Sequence, residues 1–212
     1  MTYSSSIANE LSPLVLDTSV LINLHACKSG GRILSALPNE ILVPEIVVSE
    51  LKHETSRSNG EHQFLQNLIA AEIVEVFDLD EKGYEVYGEL VLGRFSLDDG
   101  EAATIATAAR LSCLPVIDDQ KGRNLCQSHL PDREPAWSLD LFCHPHVVAI
   151  LGEELSVNAI YLALHDGRMR IHKEHCDYVV SLIGAQRAIE CPSLPGYKAK
   201  KPQWGRATHS GL

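Results

Sequence analysis

The sequence lacks long apolar runs and paired cysteine motifs. No stretch approaches the roughly twenty consecutive apolar residues that a membrane-spanning helix needs. Residues 1–13, MTYSSSIANELSP, have neither the charged nor the apolar region of a secretory signal. The six cysteines are scattered without a C-x-x-C pair, which favours a reducing compartment over a disulfide framework. We therefore expect a cytoplasmic protein that has no membrane partner.

Positive charge is also scarce. Lys and Arg number 18 against 28 Asp and Glu, which gives a formal net charge of −10. This balance argues against broad electrostatic adhesion to nucleic acid or to anionic membranes. A nucleic-acid enzyme is still compatible with it, because a divalent metal in a carboxylate cluster reverses the local sign of charge. The same acidic surface leaves room for a basic protein partner.

Apolar residues make up 45% of the chain, which is enough for a real core, and their spacing alternates between strand and helix patterns. Short buried strands are predicted at 14–16, 41–43, 73–77 and 115–117. Helices are predicted between them and after the last strand, at 44–54, 61–70, 81–92 and about 119–129. This alternation predicts an α/β domain with a central, largely parallel sheet flanked by helices.

The pattern changes after Pro135, where two helical stripes replace the alternation. We predict an N-terminal arm at 1–12, the α/β domain at 13–150 and appended helices packed on that domain at 151–190. Residues 191–212 are rich in Pro, Gly and Lys and are predicted to be an irregular tail. The predicted architecture is thus an α/β domain with a C-terminal helical extension.

Carboxylates follow two of the predicted strands. Asp17 comes directly after strand 14–16, and Asp118 and Asp119 come directly after strand 115–117. Ligands bind at the carboxyl ends of strands in an open parallel sheet. Glu101 opens the helix that leads into the second of these strands, and Glu50 lies within helix 44–54. We therefore expect these acids to meet at one edge of the sheet.

Each acid taken alone has a structural explanation. Asp17 and the Asp118–Asp119 pair stand where helix N-caps stand, and Asp98 with Glu101 fits a capping box. Glu50 fits a solvated helix charge. Together, however, clustered carboxylates repel one another unless a cation lies among them. Hard oxygen ligands suit Mg²⁺ or Mn²⁺, and such an ion supports phosphodiester hydrolysis.

Four sequence blocks resemble a known family in order and separation. LVLDTSVLINL, VPEIVVSEL, LDDGEAATIATAA and LPVIDDQKGR resemble the PIN domain, the ribonuclease domain of VapC-type toxins in toxin–antitoxin pairs. The blocks cover residues 14 to about 125, within the predicted domain at 13–150. The resemblance implies a three-layer sandwich, a parallel sheet between helices, with its acids at the carboxyl edge.

The resemblance also implies a role for each acid. Asp17, Glu50, Glu101 and Asp119 match the family's catalytic acids. Metal ligation falls to Asp17, Glu101 and Asp119, with Asp118 an equally plausible occupant of the last position. Ser19 matches a small polar residue that orients the site. Asp140 lies in the segment AWSLDLF, where the family usually has a small-residue stretch, and either assists the site or is structural.

Two cations follow the aspartate pair. Lys121 and Arg123 are candidates for contacts with RNA phosphates, with ordinary helix-surface charge as the alternative.

The resulting hypothesis is an Mg²⁺- or Mn²⁺-dependent ribonuclease that hydrolyses RNA. The resemblance implies a toxin role, an antitoxin protein as partner, and a homodimer. Two alternatives stay open. The chain could be a catalytically inactive PIN scaffold that binds protein or RNA. It could also be a haloacid-dehalogenase-like phosphatase, although that family places a second acid where this sequence has Ser19.

Overall fold

A four-stranded parallel sheet forms the centre of the N-terminal two thirds of the chain. The computed structural model describes residues 3–93 and 96–209. The strands are β1 (Leu14–Leu16), β2 (Ile41–Pro44), β3 (Glu75–Phe77) and β4 (Leu114–Val116), in the spatial order β3-β2-β1-β4. All pairings are parallel, with Leu14 opposite both Ile41 and Leu114, and Val43 opposite Val76. The predicted parallel sheet is confirmed.

Helices connect and flank the strands. In chain order they are α1 (Thr18–Ala26), α2 (Gly30–Ala36), α3 (Glu45–Glu50), α4 (Glu54–Asn59), α5 (Glu61–Ala70), α6 (Glu81–Leu92), α7 (Asp99–Leu111), α8 (Gln120–His129), α9 (Ser138–Phe142), α10 (Pro145–Leu151), α11 (Glu153–His165), α12 (Cys176–Ile183), α13 (Ala185–Ala188) and α14 (Tyr197–His209). The predicted fold class, a sheet flanked by helices with further helices after it, is confirmed.

The core of this fold is tight at β1 and α7. Residues 14–16 are fully buried, as expected for a strand inside a parallel sheet. Helix α7 packs on β1, β2 and β4 with a stripe of small side chains, of which Ala102, Ile105 and Ala106 are fully buried. Small residues allow the helix to approach the sheet closely, and this fixes the position of the first turn of α7.

Two predicted elements differ from the structure. Predicted helix 44–54 is split into α3 and α4, because His53 adopts an extended conformation between them and turn-like hydrogen bonds tighten the end of α3. The tail at 191–212, predicted to be irregular, contains α14, which continues through Pro202. Burial of Trp204 and a hydrogen bond from the Tyr197 hydroxyl to the carbonyl of Ile189, 2.5 Å long, hold α14 in place. Tertiary packing thus outweighs weak helix propensity.

The chain forms two compact units. The sheet unit consists of residues 9–22 and 38–137, and the helical unit consists of residues 1–8, 23–37 and 138–212. The sequence placed residues 138–150 with the sheet, whereas α9 and α10 pack on α2 and α11.

Asp140 holds an N-terminal arm within the helical unit. The Oδ1 of Asp140 accepts hydrogen bonds from the Tyr3 hydroxyl and from the amide of Ser6, both 2.6 Å long. The backbone carbonyl of Asp140 accepts a hydrogen bond from the Ser5 hydroxyl at 2.9 Å. Tyr3 also stacks on Tyr178, with ring centres 5.5 Å apart. Asp140 therefore has a structural role in tying the arm down.

Among the described residues, no single helix has the length and apolar character that would let it cross a membrane. The bent pair Pro145–Leu151 and Glu153–His165 reaches that length only when its two helices are counted together.

Candidate acid site

The carboxyl edge of the sheet gathers acids from four elements of the sheet unit. We call the set Asp17, Glu50, Glu101, Asp118 and Asp119 the acid site. Asp17 follows β1, Glu50 ends α3, Glu101 lies in the first turn of α7, and the aspartate pair precedes α8. The edge predicted from the strand ends therefore carries all five residues.

Asp17 is a buried carboxylate directly before α1. Its side chain is only 3% exposed, and its Oδ2 accepts hydrogen bonds from the Ser19 hydroxyl at 2.6 Å and the Ser19 amide at 3.2 Å. It thus has the contacts of a helix cap, and Ser19 orients it. Burial raises the pKa of Asp17 to about 7 against the effect of these hydrogen bonds, and the charge of Asp98 adds to the rise. A group of this kind changes protonation near neutral pH.

Glu50 connects three helices at the same edge. Its Oε1 accepts a hydrogen bond from the Gly100 amide at 2.9 Å, and its Oε2 accepts one from the Thr18 hydroxyl. Burial is the main cause of its raised pKa, and the charges of Asp98 and Asp99 add to it. Both oxygens of Glu50 are therefore fixed by hydrogen bonds, so Glu50 is not a freely solvated helix charge.

Gly100 marks the point where two of these carboxylates converge. A β-carbon added there would lie 2.5 Å from Glu50 Oε2, 2.7 Å from Thr18 Oγ1 and 3.2 Å from Asp17 Oδ1. The first two distances are shorter than real β-carbon contacts, so any larger residue here would displace the side chains of Glu50 and Thr18. The glycine in DDGEA thus preserves the observed arrangement of the acid site.

Glu101 is a buried acid whose carboxylate receives no stabilising hydrogen bond from the described residues. It is 7% exposed, and no described residue donates a hydrogen bond to its carboxylate. Burial raises its pKa to about 8, and the charges of Asp98, Asp17 and Asp119 add to the rise. Asp98 forms its half of the predicted capping box by accepting from the Glu101 amide at 2.9 Å. The reciprocal hydrogen bond of the box, from a backbone amide to the Glu101 carboxylate, is not formed among the described residues.

Helix α8 closes the site on the β4 side. Asp119 caps α8 by accepting from the amides of Lys121, at 2.8 Å, and Gly122, at 3.4 Å. A β-carbon on Gly122 would lie 3.0 Å from Glu101 Cδ, so the helix packs directly on that carboxyl group. Asp118 is 3% exposed. The charge of Asp119 acts on Glu101, so this aspartate lies near the other acids.

The two predicted RNA-contacting cations have different surroundings. Lys121 is exposed, and its ammonium group donates to the Ser96 carbonyl. Arg123 is only 6% exposed, and its Nη1 donates to the carbonyls of Ile117 at 3.0 Å and Ala136 at 2.9 Å. Its guanidinium also stacks 3.8 Å from the centre of the Trp137 ring. Arg123 holds the 136–137 segment to the end of β4, so the proposed phosphate contact is kept for Lys121 alone.

The donor set fits a divalent cation in chemistry. Buried carboxylate oxygens with like-charged neighbours are the ligands that Mg²⁺ and Mn²⁺ prefer. Within residues 3–93 and 96–209, however, no three His, Cys, Asp or Glu side chains are grouped closely enough to hold one ion. Side-chain rotation at the acid site would have to accompany ion binding.

Sequence reasoning missed Thr18, Asp98 and Gly100 as parts of this site. Asp98 was placed only as a helix cap, although its charge acts on three of the acids. The DDGEA motif itself was the available signal for Gly100, since a glycine in the first turn of a helix often marks close approach of another group. Nothing in the sequence pairs the Thr18 hydroxyl with Glu50, which lies 32 positions away.

A parallel sheet flanked by helices, with buried acids at its carboxyl edge, defines a class of nuclease-like α/β domains. A family model described as a PIN domain matches residues 13–129, which is more than half of the chain. The chain therefore belongs to the PIN domain family. No curated protein and no solved structure is similar enough to the chain to count as a match.

Proposed function

We propose that the sheet unit is an Mg²⁺- or Mn²⁺-dependent ribonuclease that hydrolyses phosphodiester bonds in RNA. Membership of the PIN family gives the chain a nuclease-like fold. The observation that carries the proposal is the burial of Asp17 and Glu101 among like charges. Such an arrangement lowers stability in the absence of a cation, and it is retained where a cation or a proton is used.

In this proposal Asp17, Glu101 and Asp119 hold the ion, with Asp118 as the alternative to Asp119. When bound, a divalent ion supplies a Lewis acid that lowers the pKa of a water molecule and offsets negative charge on the phosphate. The chain's own side chains prepare the site. Ser19 fixes the rotamer of Asp17 by two hydrogen bonds.

Glu50 is the proposed proton-handling group. The Thr18 hydroxyl and the Gly100 amide fix both of its oxygens, and its raised pKa lets it exchange a proton at a higher pH than an exposed glutamate does. Lys121 is the proposed contact for an RNA phosphate, because its exposed ammonium is tethered to the Ser96 carbonyl beside the first turn of α7. No side chain acts as a covalent nucleophile.

Cleavage of single-stranded RNA with and without Mn²⁺ tests the proposal. Asp17→Asn keeps the size of the side chain and removes its charge, and we expect a loss of roughly 10³-fold in kcat, about 4 kcal/mol. The matched control is Asp140→Asn, a second buried aspartate that lies in the helical unit. Equal cleavage by the wild type and by Asp17→Asn would contradict the assignment.

The toxin role is a finer proposal on the same site. We propose that expression of the wild-type chain in a bacterial host arrests growth, that Asp17→Asn relieves the arrest, and that a basic segment of an antitoxin protein neutralises the acid site. A cytoplasmic location and a homodimer belong to the same proposal. Growth arrest that persists with Asp17→Asn would contradict the toxin role and would leave the assignment of the fold unaffected.

A second candidate is an inactive PIN scaffold that binds protein or RNA. The absence of a preformed three-ligand group among residues 3–93 and 96–209 favours it. Calorimetric titration with Mn²⁺ separates the two candidates. Binding that Asp17→Asn abolishes supports the enzyme, whereas the same weak heat for both proteins supports the scaffold. Because the chain belongs to the PIN family, the phosphatase alternative has no remaining support.

A further inference from the structure

Two tyrosines of α6 lie beside the acid site. Tyr84 is 47% exposed, and its ring stands edge-on to that of Tyr87, with ring centres 6.2 Å apart and planes at 84°. The Tyr87 hydroxyl donates a 2.7 Å hydrogen bond to Asp99 Oδ1 in the first turn of α7. The charge of Glu50 acts on Tyr87, and the charge of Asp99 acts on Glu50. The tyrosine pair is therefore continuous with the acid site, within the sheet unit.

Both rings are held in place at the surface. The Tyr84 hydroxyl donates to Asp78 Oδ1 at 3.2 Å, as the Tyr87 hydroxyl does to Asp99. Tyr87 also packs against the core cluster that contains Leu90. Rings fixed in this way lose little conformational freedom when a ligand stacks on them. Two perpendicular rings thus form a corner that suits a planar group.

Gly88 leaves the space beside these rings open. It lies in the interior of α6, where glycine is less favourable than alanine. A β-carbon added there would meet no atom within 4 Å among the described residues, apart from its chain neighbours and its own helix backbone, so packing does not require the glycine. Helical side chains lean toward the N-terminus, so a side chain at this position would lie over Tyr84, one turn earlier. We call Tyr84, Tyr87 and Gly88 the tyrosine shelf.

The hydrogen-bond acceptor at the edge of the shelf is Asp99 Oδ2. Asp99 is exposed, and this oxygen accepts no hydrogen bond from the described residues. Glu45 and Asp78 place further negative charge beside Tyr84. Carboxylates accept hydrogen bonds from the exocyclic amino groups of adenine, cytosine and guanine, and they repel the carbonyl oxygen that uracil presents instead. The edge of the shelf therefore favours amino-bearing bases over uracil.

Phosphate contacts supply little affinity on this surface. Helix α6 carries Glu81, Glu85 and Glu89 against one lysine. Stacking of a base on an aromatic ring does not depend on the sign of the local charge, and it contributes affinity wherever the nucleic acid is single-stranded. An RNA strand that enters the acid site would therefore be positioned on this side by a base and not by its backbone.

We propose that the tyrosine shelf binds one unpaired, amino-bearing base of single-stranded RNA beside the acid site. The base stacks on the tyrosine pair and donates its exocyclic amino group to Asp99 Oδ2. Tyr84, Tyr87 and Asp99 are thereby specificity-determining residues that select cytidine over uridine near the cut. This inference rests on the proposed function, because it takes RNA as the substrate of the acid site.

Binding of two labelled oligonucleotides of equal length, oligocytidylate and oligouridylate, tests the proposal by fluorescence anisotropy in EDTA. The two bases differ at C4, which carries an amino group in cytosine and a carbonyl in uracil. We expect the wild type to bind oligocytidylate about fivefold more tightly. Asp99→Asn, whose amide can also donate to the uracil carbonyl, should bring the two affinities together. Equal affinities for the wild type, a preference that Asp99→Asn retains, or no binding of either oligonucleotide overturns the proposal.

The variant for stacking is Tyr84→Leu. Its matched control is Tyr161→Leu in the helical unit, where the tyrosine hydroxyl likewise donates to a carboxylate, that of Glu190, at 2.6 Å. We expect Tyr84→Leu to weaken oligocytidylate binding about fivefold and the control to leave it unchanged. In cleavage with Mn²⁺ the loss should appear in KM and not in kcat. Equal losses for the two variants would show that the shelf has no special part in binding.

Gly88 offers a test in which stability and binding move in opposite directions. Gly88→Ala and Gly88→Gln should both raise the Tm, because alanine and glutamine are better helix formers than glycine. Both should weaken oligocytidylate binding, and the longer glutamine should do so more. Unchanged binding by Gly88→Gln at a raised Tm would show that no base lies over the shelf.

These measurements separate the shelf from the proposed nuclease. Preference for oligocytidylate without cleavage would support the shelf and contradict the nuclease. Cleavage of both oligonucleotides that Tyr84→Leu and Asp99→Asn leave unchanged would support the nuclease and overturn the shelf. An acetylated arginine amide carries a similar planar donor group. If it displaces oligocytidylate at the concentration at which a cytidine nucleotide does so, the shelf binds a protein segment and the proposal is wrong.

Discussion

Two buried aspartates of this protein have opposite surroundings. Asp140 in the helical unit is 1% exposed, and its Oδ1 accepts hydrogen bonds from the Tyr3 hydroxyl and the Ser6 amide. Asp17 in the sheet unit is 3% exposed, and its hydrogen bonds come from Ser19, its near neighbour in sequence. The charge of Asp98 acts against Asp17. Burial alone therefore does not identify a functional acid; uncompensated like charge around it does.

The largest effect expected from this comparison is on stability as a function of pH. The pKa of Asp17 rises from 3.8 to about 7, and that of Glu101 from 4.5 to about 8. Between the lower and upper values the folded chain binds more protons than the unfolded chain, so the free energy of unfolding falls as the pH rises through this window. From pH 5 to pH 8 we expect Asp17 to contribute a fall of about 3 kcal/mol in metal-free buffer.

Urea denaturation in EDTA at several pH values measures this slope. Asp17→Asn has no group to titrate at that position, so its slope should be shallower than that of the wild type by about the same amount. Identical slopes for the wild type and Asp17→Asn would mean that Asp17 ionises in the folded chain as freely as in the unfolded chain.

The second prediction concerns the aspartate that is satisfied. Asp140→Ala removes the acceptor for the Tyr3 hydroxyl and the Ser6 amide and leaves both donors without it. We expect a loss of about 2 kcal/mol in the free energy of unfolding. Tyr3→Phe, which removes one donor only, should cost less. RNA cleavage measured below the melting temperature of the variant should be unchanged, and a large loss of kcat would give Asp140 a part in the chemistry.

The difference between the two aspartates also explains how far the sequence could be read. Asp17 and Asp119 follow strands, and the carboxyl ends of parallel strands share an edge, so their place in the fold could be predicted. Asp140 could not be assigned, because its partners lie at the far end of the chain, 134 and 137 positions away. Hydrogen bonds between side chains that are distant in sequence produce no periodic pattern from which they could be predicted.

The same limit applies to the two cations after β4. Lys121 and Arg123 are two positions apart on α8 and look alike in sequence. In the structure Arg123 lies against the end of β4 and the ring of Trp137, and that placement depends on the 136–137 segment reaching β4. The helix in the tail was missed for a related reason. Trp204 is buried by tertiary contacts, and a sequence rich in Lys and Pro does not predict a helix there.

The third prediction tests whether a cation resolves the repulsion at Asp17. A ligand at ten times its dissociation constant raises the free energy of unfolding by about 1.4 kcal/mol when it binds the folded chain only. We expect Mn²⁺ to raise the Tm of the wild type and of Asp140→Asn, and to leave that of Asp17→Asn unchanged. Equal shifts in all three proteins would place Mn²⁺ elsewhere on this acidic chain.

The smallest expected effect belongs to the hydroxyl that orients Glu50. Thr18→Val keeps the shape of the side chain and removes the donor to Glu50 Oε2, while the Gly100 amide still holds Oε1 at 2.9 Å. One of two tethers is lost, so we expect about a fivefold fall in kcat, close to 1 kcal/mol. The KM for RNA should change little. Thr18→Ser keeps the hydroxyl and should retain most of the activity. If Thr18→Val and Thr18→Ser lose activity equally, packing of the methyl group, and not the hydrogen bond to Glu50, is what the site requires at this position.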